Sequence, residues 1–417
     1  MGESGEEGDA MRSSVAERRI ELVEWERTAV LEERITPEHI RLLRKEFRSV
    51  VRVERDPLED GCWFLTSLGY VGSIPLGDDL LLHLHPKTPV GNIFRMIEYA
   101  YRIDFKIFDT LYHCETLPGM VDALALILAE RTLHRVRRGL YRAYIPRTAR
   151  LEALRGRLDV ERFIRSDWQP DLPCTFGEQT VENEENQIIC WTLHLLLRSS
   201  HLSQRVRPTI RKAWRALSRS VSCFPCSSSI CVGRTYNRLN SDYEMLHTIC
   251  RFFLDTLVPA HRTGEHPSFS FLIDMNLLFE RFVAEWLRGR GELHEAGLHI
   301  TTQERALVGE GASVAFIFDI LVKDRESGET HCVIDTKYKV PVKPANDDIF
   351  QVVAYATQQW CRQAVLIYPE PLVSPIDISI GDLRIKSLTF PISGEESEEI
   401  EVGGRRFLRE LLRLVGD

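Results

Sequence analysis

Phe316-Ile317-Phe318-Asp319-Ile320-Leu321-Val322 is an apolar run broken by one carboxylate, and Val333-Ile334-Asp335-Thr336-Lys337-Tyr338 repeats the pattern with a lysine added. Both runs have the length and the β-branched and aromatic content of buried strands. A carboxylate inside such a strand costs several kcal/mol to bury unless it is paired or binds a cation. Neighbouring strands would set Asp319 and Asp335 side by side, where like charges repel. A divalent ion relieves that repulsion, and hard oxygen ligands suit Mg²⁺ or Mn²⁺. Lys337 lies two residues beyond Asp335 and so on the same strand face. An ammonium group there can orient or deprotonate a water and stabilise charge on a phosphate oxygen. A plain ion pair between Asp335 and Lys337 would explain the same three residues, so the flanking sequence has to decide.

Residues 274–287 before these strands form an amphipathic helix, with Leu277, Leu278, Phe282, Val283 and Trp286 on its apolar side. Glu280 stands between those apolar positions and not on the wet face. Residues 348–359 after them read as a second helix, in which Gln351 and Tyr355 are spaced i, i+4 and share one face. Asp347 and Asp348 are accounted for as acids at that helix's N-terminus. A strand at 364–368 and a terminal helix at 405–415 complete an α/β arrangement over 266–417.

Upstream, residues 15–90 read as a small β-rich domain, with alternation at Val51-Arg52-Val53 and a Gly77-Asp78-Asp79 turn leading into Leu80-Leu81-Leu82-His83-Leu84-His85. His83 and His85 share a face but lack a third ligand nearby, which favours a structural role. Residues 91–265 read as a helical middle domain, from apolar positions spaced three and four apart such as Ile93, Met96, Ile97, Ala100 and Tyr101. Residues 1–14 read as a disordered acidic tail. At 417 residues the chain needs more than one core, and its fold class is multidomain α+β.

The charge and cysteine content limit the function classes. A net charge of −8 gives the whole chain no attraction to nucleic acid, so any such contact must be local. Between Arg131 and Arg157 nine arginines face one acid, Glu152. Arg135, Arg137, Arg138, Arg142, Arg155 and Arg157 are therefore candidates for contact with DNA or an acidic partner. No apolar run reaches the ~18 residues of a membrane helix. Ten cysteines without a leader-like start suggest a reducing, cytoplasmic setting. Cys223, Cys226 and Cys231 have only partial zinc-ligand spacing and read as small thiols in a loop.

In order, Glu280, Asp319, Asp335-Thr336-Lys337 and Gln351-x-x-x-Tyr355 resemble the PD-(D/E)xK nuclease superfamily. The chain looks specifically like the McrC family, the nuclease subunits of McrBC-type modification-dependent restriction systems. The likeness extends over about 70–370 and includes Asn92-Ile93-Phe94-Arg95-Met96-Ile97-Glu98-Tyr99-Ala100, Arg155-Gly156-Arg157-Leu158-Asp159, Thr175-Phe176 and Asn183-Glu184-Glu185-Asn186. It implies a PD-(D/E)xK restriction-endonuclease-like domain at 266–417, with Asp319, Asp335, Lys337 and Glu280 catalytic. Asp319, Asp335 and the Thr336 backbone carbonyl would hold Mg²⁺, for which Mn²⁺ substitutes, and Gln351 and Tyr355 would support the site. The implied partners are double-stranded DNA, cut at its phosphodiester bonds, and a hexameric AAA+ GTPase ring of the McrB type in a prokaryotic cytoplasm. GTP would bind to that partner and not to this chain, whose sequence contains no G-x-x-x-x-G-K-[ST] loop. Phe318 departs from the superfamily, which often has proline there, and the second acid is Asp rather than Glu. Two other functions stay open at this point: a ring-binding GTPase activator that contacts DNA without cutting it, and a stand-alone repair nuclease.

Overall fold

The protein is described, as a computed structural model, over residues 18–55, 61–77, 79–103, 114–165, 171–199, 201–260, 268–308, 314–339, 341–392 and 397–416. The expected acidic tail and Asp78 of the expected turn lie outside these residues. The chain forms two compact units, one of Met1–Ile107 with Ala260–Asp417 and the other of Phe108–Pro259. The sequence suggested separate domains at 15–90 and 266–417, but both belong to the first unit. Ser268–Asp274 pairs antiparallel with Tyr70–Leu76, from Phe271 opposite Ser73 to Asp274 opposite Tyr70. Pairing between strands so distant in sequence leaves no trace in local periodicity. Helix Val90–Tyr101, expected in the middle domain, packs on helix Met275–Arg288 in this unit.

In the first part of this unit, Arg18–Val23, Leu80–His85, Tyr70–Leu76 and Ser268–Asp274 are successive neighbours in one sheet, and Arg27–Leu31, Cys62–Ser67 and Val51–Arg55 form another. The β-rich reading missed helix Pro37–Glu46, although its start is encoded locally. Thr36 caps the His39 amide, His39 returns a contact to the Thr36 amide, and proline stands at the first turn. Gly72 is required where Tyr70–Leu76 meets Ser268–Asp274: its φ is 136°, and a Cβ there would lie 2.0 Å from the Phe271 carbonyl oxygen. Gly72→Ala is expected to destabilise the unit by about 3 kcal/mol, through backbone strain and the forced separation of two strands. Urea denaturation checks this, and an unchanged midpoint would contradict it.

The sheet that carries the acidic strands has the order Leu298–Val308, Val314–Asp324, Thr330–Thr336, Gln363–Tyr368, Leu383–Thr389, Asp377–Ile380. Its first two pairings are antiparallel, and Gln363–Tyr368 is parallel to both of its neighbours. Helix Asn346–Gln359 makes the crossover between the parallel strands Thr330–Thr336 and Gln363–Tyr368. It covers Phe318, Leu321, Val333, Ala364 and Leu366 with Val352 and Ala356. Helix Met275–Arg288 packs on Leu298–Val308 and Thr330–Thr336. Strand Thr330–Thr336 is accordingly buried along almost its whole length.

The second unit contains helices Leu117–Arg138, Glu184–Arg198, Arg207–Leu217 and Asp242–Thr256. It also contains a three-stranded sheet, Ala143–Leu151, Leu172–Thr180 and Arg157–Leu158, in a region read as helical. Ala143–Leu151 is exposed at nearly every position, so it lacks the apolar alternation by which a strand is recognised. Among the described residues no helix is long and apolar enough to cross a membrane.

Candidate active site

Asp319 and Asp335 each stand one step beyond the Ile320–Ile334 pair of two antiparallel strands. The Thr336 amide and hydroxyl donate to Asp319 Oδ2 at 3.0 and 3.2 Å. Asp335 is fully buried, with the Lys337 ammonium 2.7 Å from its Oδ2. Lys337 Nζ also donates to Gln351 Oε1 at 2.9 Å, and Gln351 Nε2 donates to the Tyr355 hydroxyl at 2.9 Å. The i, i+4 spacing of Gln351 and Tyr355 thus places both along one line behind the lysine. Glu280 enters from helix Met275–Arg288. The start of that helix is fixed by Asp274, which accepts from the Asn276 and Leu277 amides and from the Tyr70 hydroxyl.

Gln303, which the sequence did not single out, donates its side-chain amide to Glu280 Oε1. It is skipped by the ladder between the Thr302–Ile320 and Glu304–Phe318 pairs, and its φ is 54°. A left-handed non-glycine residue costs about 1–2 kcal/mol, and such strain clusters at functional sites. Asp348, explained from sequence by its helix N-terminus alone, is buried and paired with Lys339 at 2.8 Å, with the Tyr368 hydroxyl 3.5 Å from it. The spacing Lys337-x-Lys339 was the available signal for a second ammonium just past the strand.

Burial and mutual repulsion shift the carboxyls strongly. Glu280 is pushed up to about 8 by burial and by the charge of Asp319, against the Gln303 hydrogen bond. Asp335 is pushed up to about 7 by burial and then by Asp319, against the pull of Lys337. Asp319 is itself raised by burial, opposed by the Thr336 amide. Burial works against the Lys337 ammonium, but Asp335, Asp348 and Asp319 outweigh it and the pKa is raised. Of the two roles the sequence allows for Lys337, this favours the cation that orients and stabilises over the base.

The donors fit a divalent ion of the Mg²⁺ kind. Asp335 Oδ1 has no hydrogen-bond partner among the described residues, although the carboxylate is buried. Among the same residues no three His, Cys, Asp or Glu side chains converge as a metal cluster. Asp319 and Asp335, with the Thr336 carbonyl expected from the sequence, would supply hard oxygen donors of the kind that suits Mg²⁺, an ion that usually keeps several waters. Without metal, Glu280 and Asp335 hold protons more tightly folded than unfolded, where 4.5 and 3.8 are ordinary. Their stabilisation is complete below those ordinary values and is lost as pH rises through about 7 to 8. In chelator the melting temperature should fall between about pH 5 and 9, and Mg²⁺ should flatten the fall by binding the ionised forms. A melting temperature that rose over that range would overturn this.

The arginine candidates lie in the second unit. Arg135 is turned inward, donating to the Leu239 carbonyl at 3.0 Å and lying 5.1 Å from the Tyr243 ring. Arg155 stacks over Phe176 at 4.3 Å. Arg137, Arg138, Arg142, Arg155 and Arg157 are exposed, alongside exposed Tyr144, Leu154 and Ile164. His83 and His85 stack with ring centres 6.2 Å apart, and His85 contacts Glu21. Cys223, Cys226 and Cys231 are half-buried free thiols.

Comparison with known proteins places this geometry in context. The family model described as McrBC 5-methylcytosine restriction system component matches residues 65–369, which include every residue of the site. A curated relative, the Type IV methyl-directed restriction enzyme EcoKMcrBC of Escherichia coli (strain K12), is 26% identical over 212 residues. That match covers 49% of this chain and spans only 60% of the relative's length. Among solved structures, a chain of the refined half-complex from a tetradecameric assembly of Thermococcus gammatolerans McrB AAA+ hexamers with bound McrC has the same fold. Its TM-score is 0.50 at 17% identity, covering 94% of this chain and all of that one.

Proposed function

Because the chain belongs to the family of McrBC 5-methylcytosine restriction system components, we propose that it is the Mg²⁺-dependent DNA endonuclease subunit of a modification-dependent restriction complex. The observation that supports this most is the buried Asp335–Lys337 pair, with Asp319 on the adjoining strand and Glu280 within reach of the Asp319 charge. Asp319, Asp335 and the Thr336 carbonyl would hold the ion, and Mn²⁺ would substitute. Such an ion lowers the pKa of a bound water and polarises the phosphate. Lys337, kept as an ammonium and aimed by Gln351 and Tyr355, orients the attacking water and stabilises charge gathering on the phosphate oxygens. Glu280, steadied by Gln303 and within reach of the Asp319 charge, would add a further acidic group beside the ion.

The Escherichia coli relative is named as a methyl-directed restriction enzyme, and the Thermococcus gammatolerans assembly joins McrC to McrB AAA+ hexamers. By this likeness the chain works on double-stranded DNA with a hexameric GTPase ring. GTP binds to the ring, and the exposed arginines of the second unit are candidates for ring or DNA contact. The test is cleavage of a methylated duplex by the full chain with its ring partner, GTP and Mg²⁺. Cutting that ceases when Mg²⁺ is withheld supports the proposal. Cutting with neither partner nor nucleotide would point to a stand-alone nuclease, and stimulated GTP hydrolysis without cutting would sink the endonuclease assignment.

A further inference from the structure

Glu24, which follows strand Arg18–Val23, is fully buried. Its amide donates to the His85 carbonyl at 3.0 Å, and its backbone bridges to Ser67. Its Oε2 accepts from the Lys87 amide at 3.1 Å and from the Tyr338 hydroxyl at 3.4 Å, while Oε1 has no partner among the described residues. Burying a carboxyl with half its acceptor capacity unmet is costly. The next residue, Trp25, has φ 60°, a left-handed conformation that bulky side chains seldom adopt. The segment keeps this shape against its local preference.

What the shape achieves is a grip on Tyr338, the residue after Lys337. Tyr338 is buried, and its ring centre is 5.9 Å from that of Phe279, the residue before Glu280. One phenol therefore touches the helix that carries Glu280 and fixes the chain just past Lys337. The strand Thr330–Thr336 has ended by then, and the Lys337 amide makes its last bond toward Gln363–Tyr368, to the Ile367 carbonyl at 2.8 Å. Beyond that bond the Lys337 carbonyl accepts only locally among the described backbone bonds, from the Lys339 amide at 2.8 Å across Tyr338, so the anchoring of Tyr338 ties this short turn to the rest of the unit. Resting on the endonuclease reading, we propose that Glu24, acting through Tyr338, is a positioning residue that fixes Lys337 and Glu280 relative to the two aspartates. An amino-terminal side chain would then set the geometry of the carboxy-terminal site. Misplacing a reacting group by ~1 Å costs up to about 10²-fold in rate.

The test uses the full chain with its ring partner, GTP and Mg²⁺, and the variants Tyr338→Phe, Glu24→Ala and Glu24→Gln. Tyr338→Phe and Glu24→Ala are expected to lower kcat for cleavage by about 10- to 100-fold with KM for DNA unchanged. Glu24→Gln keeps an acceptor for the phenol and should restore most of the rate. In the metal-free chain, amide exchange at Lys337 and Tyr338 should quicken in the first two variants and not in the third. Should Glu24→Ala fail to fold, Tyr338→Phe, which removes a single hydroxyl, carries the test. Wild-type cleavage by Tyr338→Phe, or a Glu24→Gln variant as slow as Glu24→Ala, would overturn the positioning role. Lys337→Ala measured alongside separates the two ideas. If it is inactive while Tyr338→Phe cuts normally, only the positioning role falls; if it cuts normally, the endonuclease reading falls and takes the positioning role with it.

Discussion

Lys337→Ala is expected to slow DNA cleavage about 10³-fold, in line with the loss of one aimed charge-stabilising donor from a buried site. The ammonium contacts Asp335 and is held by Gln351, so its removal takes away a cation whose position is already fixed. It also leaves the buried Asp335 carboxylate without its counter-charge, which should lower the stability of the metal-free chain. Single-turnover cleavage with saturating ring partner, GTP and Mg²⁺ measures the first effect. GTP hydrolysis by the partner, followed in the same samples, serves as the control for folding and docking. Loss of cutting with GTP hydrolysis still stimulated is the expected pattern. A variant that cuts within a few-fold of the parent rate would show that Lys337 is only an ion-pair partner.

Asp319→Asn should have a comparable effect on cleavage, about 10³-fold, and the opposite effect on stability. The charge of Asp319 is a named cause of the upward shifts of both Glu280 and Asp335. Asparagine can still accept from the Thr336 amide and hydroxyl, so the local hydrogen bonding survives. Without metal, near pH 8, relief of the repulsion should stabilise the chain by about 1–2 kcal/mol and shrink the fall of its melting temperature with pH. With Mg²⁺ present the order should reverse, because the parent gains binding energy that the variant has lost. Melting curves of both proteins, with chelator and with Mg²⁺, test the pair of effects. If the variant proved less stable than the parent in chelator, the repulsion argument would be wrong.

Much of the site was legible because its chemistry conflicts with its surroundings. Asp319 and Asp335 stand out as charges within apolar strands, Lys337 by its spacing of two, and Gln351 with Tyr355 by their spacing of four. The structure brings them together: Lys337 contacts Asp335 and Gln351, Gln351 contacts Tyr355, Thr336 binds Asp319, and Glu280 feels the charge of Asp319. Gln303 was not legible, because a polar residue in an edge strand is ordinary and its left-handed backbone has no signature in an isolated glutamine. Glu24 was equally hidden, since one acid near a strand end reads as solvated until its distant partner Tyr338 is known. The division into units was misjudged for a related reason. Hydrophobic periodicity reports which face a segment buries and says nothing of which remote segment covers it. The sheet within 143–180 was lost because its leading strand buries almost nothing.

The pairing of Tyr70–Leu76 with Ser268–Asp274 also constrains how the chain can be made. On the ribosome, the earlier strand emerges about 200 residues before its neighbour, an interval of roughly 10–40 s at ordinary elongation rates. Throughout that time one edge of a nascent β-ribbon stays open to any other extended chain, while 108–259, contiguous in sequence, can already condense. Chaperone demand during biosynthesis should therefore concentrate on the leading segment, and expression from two separate genes cut within 108–259 would leave that edge waiting for a second molecule.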